Sequence, residues 1–319
     1  MALLSLLNHM KELDMAYFGG IETGGTKVIC SVGENPEHIV SDVNFPTTDP
    51  QETIQKVIDF FKPFYEQGEL ASIGIASFGP VDLNLDSETY GYITTTPKPG
   101  WQYVDLLGEI QRAINVPIAF DTDVNAAAIG EQSWVPENRS LDPFLYMTVG
   151  TGIGAGVISN GVPLHGLIHT EIGHIPVPHD WEKDPFPGFC PYHGDCLEGL
   201  ASGPSMHKRW GVQPEMLSDS HIGWELEADY IALALLISIY AYSPQRIVLG
   251  GGISKHRGFH QSVRERVLKM NNGYIQSNVL LENIDDYIIA PKLGNRSGVL
   301  GAIAMAKNLM ENIEHLPTL

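Results

Sequence analysis

One pattern occurs twice in this chain and constrains its fold more than any other. It is a β-prone run, a turn made of glycine and threonine, and a second β-prone run. The first copy runs from Ala16 to Ile21, through Glu22-Thr23-Gly24-Gly25, and on through Thr26-Lys27-Val28-Ile29-Cys30-Ser31-Val32. The second is Phe144–Val149, then Gly150-Thr151-Gly152-Ile153-Gly154-Ala155-Gly156, then another apolar run. Each reads as a β-hairpin and not as a strand-to-helix turn. Their matching positions in the two halves point to an internal duplication.

The rest of the chain fills in around the hairpins. Asp49 and Pro50 open a helix, Glu52 completes a capping-box pattern, and Ile54, Val57, Ile58, Phe61 and Phe64 recur on one face. Ser72–Ala76 reads as a buried strand running into Ser77-Phe78-Gly79-Pro80, Val104–Ile114 as a helix and Pro117–Phe120 as a strand. A helix over Val124–Trp134 opens at Asp121-Thr122-Asp123. The polar stretch Pro136–Asp142 marks a boundary, dividing the chain into lobes 1–138 and 139–319. The second lobe continues with a helix over Trp224–Tyr240, a strand over Arg246–Leu249, Gly250-Gly251-Gly252, and a helix over Phe259–Met270. A final helix over about 298–310 is expected to pack back on the first lobe. Mixed sheets flanked by helices, an α/β fold of two lobes, are the outcome.

Composition excludes several classes. Hydrophobic residues at 43% and charged residues at 18% describe an ordinary globular chain. A net charge of −19 argues against nucleic acid or acidic lipid as a partner, since both attract clustered Lys and Arg. A phosphate ligand would then need local backbone N–H groups, a helix N-terminus or a metal. No segment approaches the ~20 apolar residues of a membrane span. Met1–Asn8 lacks a basic n-region and a cleavage site, so it reads as a non-secretory extension, with Met10 and Met15 as alternative starts. A soluble, cytoplasmic chain is expected.

The glycine turns carry the first chemistry. Glycine lets the backbone approach a phosphate closely, and Gly24-Gly25-Thr26-Lys27 adds a hydroxyl and an ammonium. Two plain tight hairpins would explain one such turn. Two in matching places favour phosphate binding. Neither is a Walker A loop, and Gly150–Gly154 opens no helix, so a dinucleotide fold is poorly supported. Asp121-Thr122-Asp123-Val124-Asn125 follows a strand. A helix cap explains one acid, but not both together with the Asn. A carboxylate at a strand end suits a general base.

A metal site is the sharpest local signal. Cys190-x2-His193-x2-Cys196 places three ligands within seven residues, using two of the chain's three cysteines. His174 completes a Cys2His2 tetrahedron, with His165, His169 and His179 as nearby substitutes. Four protein ligands leave no open position, so the zinc would be structural. The third cysteine, Cys30, reads as a buried small hydrophobe.

Gly24-Gly25-Thr26-Lys27, Asp123-Val124-Asn125, Gly150-Thr151-Gly152-Ile153-Gly154 and Glu171-Ile172-Gly173-His174 together resemble the ROK family of sugar kinases, over about Met15 to Ala306. The resemblance implies the actin-like ATPase (ribonuclease H-like) fold, and transfer of the ATP γ-phosphoryl group to a hexose between two closing lobes. It makes Asp123 the catalytic base and favours His174 as the fourth zinc ligand. It implies nucleotide contacts at Gly24, Gly25, Thr26, Lys27, Thr151, Gly152, Gly154, Gly251 and Gly252, with catalytic Mg2+. Sugar contacts fall at Gly79, Thr96, Lys98, Asn125, Glu171 and Glu198, and a homodimer is the family's habit. Thr122 stands where Asn is usual, and Glu22 where Asp is usual in the first phosphate loop. Thr96-Pro97-Lys98-Pro99-Gly100-Trp101 and the zinc segment resemble the bacterial fructokinase branch, which implies D-fructose converted to fructose 6-phosphate. A glucokinase or mannokinase is the alternative. Zinc would place Glu171 and Glu198, unless both are ordinary surface charges. Lys98 reads as a sugar contact or a plain loop charge, and Trp101 as a sugar platform or a loop pin. A sugar-responsive repressor of the same family would need a DNA-binding domain ahead of the first strand. Roughly fourteen residues precede it, without a basic helix-turn-helix. A catalytically dead sugar-binding protein would be expected to lack Asp123 or a phosphate loop.

Overall fold

The structure is a computed structural model, and it describes residues 17–314. The expected N-terminal extension, with Met10 and Met15, lies outside the described residues. The chain divides into two compact units, one up to Arg139 together with the segment from Arg296, the other Ser140–Asn295.

The first unit is built on a five-stranded sheet of order β3-β2-β1-β4-β7. β1 (Tyr17–Thr23) and β2 (Lys27–Asn35) form the hairpin, and β3 (His38–Pro46) adds antiparallel to β2. β4 (Leu70–Ser77) and β7 (Ile118–Thr122) run parallel to β1. A small hairpin of β5 (Tyr92–Ile93) and β6 (Val104–Asp105) lies outside this sheet. All eight residues of β4 are buried, so the centre of the sheet is covered on both faces. On one face lie α1 (Pro50–Glu66) and α2 (Leu106–Ala113), which supply Ile54, Val57, Phe61, Leu106 and Ile110 to the core.

α3 (Asp123–Trp134) and the C-terminal helix Ser297–Glu314 pack together and cover the other face. A methyl group on Gly301 would sit 1.7 Å from the Ala126 carbonyl oxygen, so glycine lets these two helices meet backbone to backbone. Ser72 Oγ donates to Ala306 O at 2.9 Å, Trp134 Nε1 to Leu300 O at 2.9 Å, and Ser297 Oγ to Glu131 Oε1 at 2.7 Å. These bonds satisfy polar groups that burial would otherwise leave costly.

Local chemistry departs from the sequence reading in two places. α2 begins at Leu106 and not at Val104. Asp105 caps it by accepting from Gly108 N, while Val104 pairs with Ile93 in the small hairpin. At α1, Asp49 accepts from Glu52 N as a cap should. The Glu52 carboxylate, however, accepts from Thr48 Oγ1 at 2.6 Å and holds Lys56, so the reciprocal half of the capping box is not made.

The second unit repeats the plan with the order β10-β9-β8-β11-β12. β8 (Phe144–Val149) and β9 (Ile153–Ser159) form its hairpin, and β10 (Val162–Pro163) extends β9. β11 (Arg246–Gly250) and β12 (Ile288–Ile289) run parallel to β8. Four helices matter to its organisation: α4 (Leu197–Ala201), α5 (Gly203–Trp210), α6 (Ile222–Tyr242) and α7 (Phe259–Asn271). α6 is buried along most of its length, and its Leu, Ile and Ala side chains enter one continuous core with β8, β11 and α7.

Candidate functional site

Parallel register brings three chain segments to one edge of the first sheet. Thr23 pairs with Ser77, and Ser77 with Thr122, so β1, β4 and β7 end level. Ligands of open α/β sheets collect beyond such carboxyl ends. Here the edge carries the Gly24–Lys27 turn, Gly79 and Asp123. Gly24 N donates to Lys27 O at 2.8 Å and closes the turn. Thr47 supports it from outside, with its hydroxyl on Gly24 O at 2.7 Å and its N–H on Thr26 O at 3.0 Å. A Cβ on Gly25 would meet nothing within 4 Å. The fold itself therefore leaves room beside that backbone, as a bound phosphate would require. Phe78 N donates to Thr23 O at 2.9 Å and sets Gly79 beside the turn.

At the end of β7 neither acid is the helix cap. Thr122 is, its Oγ1 accepting from Asn125 N at 3.1 Å. Asp121 is buried and holds Asn125, accepting from its Nδ2 at 2.7 Å. Asp123 is the first helical residue, half-buried, with Oδ1 accepting from Val124 N at 2.9 Å. A carboxylate here gains from the positive end of the helix. Thr122 thus does the capping, which leaves both acids out of that role.

Glu22 was singled out from the sequence only as a departure. Its carboxylate packs against the start of the C-terminal helix, beside Gly298 and the Val299 N–H. Oε2 is shut off from solvent and has no hydrogen-bond partner among the described residues. Burial pushes this carboxyl above its ordinary value, against the pull of Lys27.

The Thr94–Trp101 loop lies against the first turn. Trp101 is fully buried, edge-on to Phe78, and its Nε1 donates to Thr48 O at 2.9 Å. It is a loop pin and not a sugar platform, because no face of its ring is left open. Thr96 is buried, and its Oγ1 accepts from Lys98 N at 3.3 Å. Lys98 Nζ donates to Gly25 O at 2.7 Å, within the first glycine turn.

In the second unit the hairpin turn Gly150-Thr151-Gly152, with Gly154 in the following strand, sits at the end of β8, level with Gly250 at the end of β11. Gly251 has φ +92°, and a Cβ there would lie 2.2 Å from Val149 O, so only glycine fits. Gly252 is open.

His174, Cys190, His193 and Cys196 converge, their ligand atoms all within 4.8 Å of one another. Cys190 Sγ lies 3.8 Å from His174 Nδ1 and 3.6 Å from His193 Nδ1, and Cys196 Sγ lies 3.5 Å from His174 Nδ1. Zinc–sulfur bonds near 2.3 Å and zinc–nitrogen bonds near 2.1 Å span tetrahedral edges of about 3.6 Å. The donor set fits. The nearby His179 is committed elsewhere, to Asp195 Oδ2 at 3.0 Å and Asp184 O at 2.8 Å.

The Cys/His quartet is tied to both glutamates. Glu171 stands immediately before the one-turn helix Ile172–His174, and Glu198 lies in α4, which starts after Cys196. Burial, and then the charge of Glu198, push the Glu171 carboxyl up to about 7. Sequence reasoning missed a second contact: Ile153 N donates to Glu198 Oε2 at 2.9 Å, binding the metal segment to the second glycine hairpin. No local pattern signals a bond across 45 residues.

This architecture recurs in known proteins. A ROK hexokinase from Thermus thermophilus superimposes with a TM-score of 0.72 at 22% identity, over 93% of this chain and 99% of that one. The fold class is therefore that of the actin-like ATPases, two α/β units with mixed sheets and flanking helices. Within that class the chain belongs to the ROK family, whose profile matches residues 18–309. It is 44% identical to a fructokinase of Streptococcus mutans, over 92% of this chain and 98% of that protein. It is 40% identical to a fructokinase of Lactococcus lactis subsp. cremoris, over 92% and 98%.

Proposed function

We propose that the protein is an ATP-dependent fructokinase that converts D-fructose to fructose 6-phosphate. The observation that carries this reading is the level ending of β1, β4 and β7, which gathers a glycine turn with an open flank, Gly79, and Asp121 and Asp123 on either side of the capping Thr122 at one edge. Relatives named fructokinase at 40–44% identity over nearly their whole length support the choice of sugar.

Phosphoryl transfer needs positioning and charge stabilisation more than covalent chemistry from the protein. Asp123 would take the proton from the sugar hydroxyl as the oxygen attacks phosphorus. Asp121 holds Asn125 through its Nδ2, and Asn125 would orient the sugar. Thr96, Gly79, Glu171 and Glu198 are the further sugar contacts. With its carboxyl near neutrality, Glu171 can donate or accept toward a hydroxyl. Gly24, Gly25, Thr26 and Lys27 would contact nucleotide phosphate, and Thr151, Gly152, Gly154, Gly251 and Gly252 are further proposed nucleotide contacts. Mg2+ bound with ATP offsets phosphate charge, and the orphaned Oε2 of Glu22 fits a role toward that ion. Zinc on His174, Cys190, His193 and Cys196 would be structural, since no ligand position is left for water.

No described helix is long and apolar enough to cross a membrane. We place the protein in the cytoplasm as a homodimer, without nucleic-acid partners, consistent with its net charge of −19. The test is an ADP-release assay over a panel of hexoses. D-Fructose should exceed glucose and mannose in kcat/KM by about tenfold or more, a margin of 1–3 kcal/mol in pocket fit. Equal or greater turnover of glucose or mannose would make the chain a glucokinase or mannokinase instead.

A further inference from the structure

We infer that Lys98 is a positioning residue that couples sugar occupancy to nucleotide affinity through a single peptide group of the phosphate turn. The inference rests on the kinase reading above and assigns Lys98 a role distinct from a sugar contact or a loop charge.

The geometry begins at the turn. Lys98 Nζ donates to Gly25 O at 2.7 Å and reaches Thr47 O at 3.4 Å. The Gly25 carbonyl shares its peptide plane with the Thr26 N–H, and in a trans peptide the two point in opposite directions. An ammonium holding the oxygen therefore fixes where that N–H aims. It also polarises the amide, because hydrogen bonds in a chain strengthen one another. The N–H made more acidic belongs to Gly25-Thr26, at the flank where a Cβ on Gly25 meets nothing within 4 Å.

The other end of the link is the loop. Lys98 N donates to Thr96 Oγ1 at 3.3 Å, and Thr96 is the buried hydroxyl assigned above to the sugar. The loop is a firm base for this link. Thr94 N donates to Pro80 O at 2.8 Å, Gln102 Nε2 to Thr96 O at 2.9 Å, and Trp101 Nε1 to Thr48 O at 2.9 Å. Thr47, the other residue Lys98 reaches, itself holds Gly24 O and Thr26 O. A sugar that orders Thr96 orders Lys98, and Lys98 orders the peptide that meets phosphate. By linkage the effect is reciprocal. Lys27 does not duplicate it: it lies exposed at the start of β2, and among the described residues no bond runs from its ammonium to the turn's carbonyls.

The experiment measures the affinity of Mg2+-bound AMPPNP, a non-transferring ATP analogue, by calorimetry on the full chain with and without saturating D-fructose. Wild type should bind it at least about fivefold more tightly with fructose, the lower end of ordinary coupling between sites. Lys98→Met should bring that ratio below about two and weaken fructose-free nucleotide binding severalfold. Lys98→Arg, which keeps a cationic donor, should recover much of the ratio. Lys62→Met removes an exposed ammonium paired with Glu66 on α1, outside the Thr96–Lys98–Gly25 link, and should keep the wild-type ratio. Three results would overturn the inference: a wild-type ratio in Lys98→Met, loss of the ratio in Lys62→Met as well, or weakened fructose binding in Lys98→Met with nucleotide binding unchanged. Wild type that turns over fructose yet shows a ratio of one also overturns it, leaving the kinase reading intact. Wild type with no fructose turnover fails the kinase reading first.

Discussion

Asp123 and Glu22 are both carboxylates at the carboxyl edge of one sheet, and their surroundings make them different reagents. Asp123 is half-exposed as the first residue of α3, with Oδ1 accepting from Val124 N. Replacing it with Asn keeps an oxygen for the Val124 N–H but removes the carboxylate proposed to take the sugar's proton. Asp123→Asn should therefore leave the fructose Kd within about threefold while kcat falls by roughly 10² to 10⁴. Wild-type turnover in that variant would show that the proton goes elsewhere. Glu22 is buried, with a carboxyl raised from 4.5, so the folded chain holds a proton that the unfolded chain releases first. Its contribution to stability is full below about 4.5 and is lost as pH rises through the folded value. Glu22→Gln has no proton to lose. In metal-free buffer at pH 8 it should melt above wild type, and in assays it should need more Mg2+ for half-maximal turnover. If neither melting nor Mg2+ demand moves, Glu22 is inert. The sequence marked Glu22 only as a departure from a pattern. Its orphaned oxygen depends on the C-terminal helix, some 275 residues away in the chain, which no local reading can supply.

Elements were legible where their signals are local. The two hairpins, α1 with its Asp49 cap and the metal quartet all follow from turn residues, 3.6-residue periodicity or ligand spacing. β3 was missed: its burial alternates half-in and half-out along an edge strand, and its sequence carries no continuous apolar run. Val104 was misplaced because Asp105 two residues before Leu107 looks like helix interior until the small hairpin claims Val104. The role of α4 was likewise hidden. It is short, and its meaning comes from the metal segment before it and the Glu198–Ile153 bond within it. Through that bond a zinc on the quartet would act at the scale of elements, ordering the Cys190–Cys196 segment, α4 and through Glu198 the second hairpin. Verified removal of one zinc per chain should lower the melting temperature by about 10 °C, as the loss of several kcal/mol would in a unit of this size. It should also raise the KM for ATP, and not only that for fructose. Unchanged melting after measured zinc loss would refute a structural metal. A rise confined to the fructose KM would deny the Glu198 link.

The chain order of the whole molecule sets a folding constraint that neither unit shows alone. The first unit's sheet is complete by Thr122, yet one of its faces is closed by residues from Ser297 onward. Without that helix, Ser72 and Trp134 lose their acceptors, the Ser297–Glu131 bond is gone, and the apolar surface of Ala76 and Ala126 loses the cover of Ala302 and Met305. Close backbone packing at Gly301 means that no other helix would fit this seat without loss. Unpaired buried groups at about 1–3 kcal/mol each, added to the lost apolar cover, exceed the margin by which a domain of this size is stable. A fragment of residues 17–139 should therefore be degraded rapidly by protease and show little cooperative melting. A permuted fragment carrying residues 296–314 joined by a flexible linker ahead of residue 17 should melt cooperatively, because the linker restores the same cover in a different order. If the unpermuted fragment folds as cooperatively as the permuted one, the helix is an ornament on a finished unit. If only the permuted fragment folds, the first unit of this chain cannot complete itself until its last helix is made.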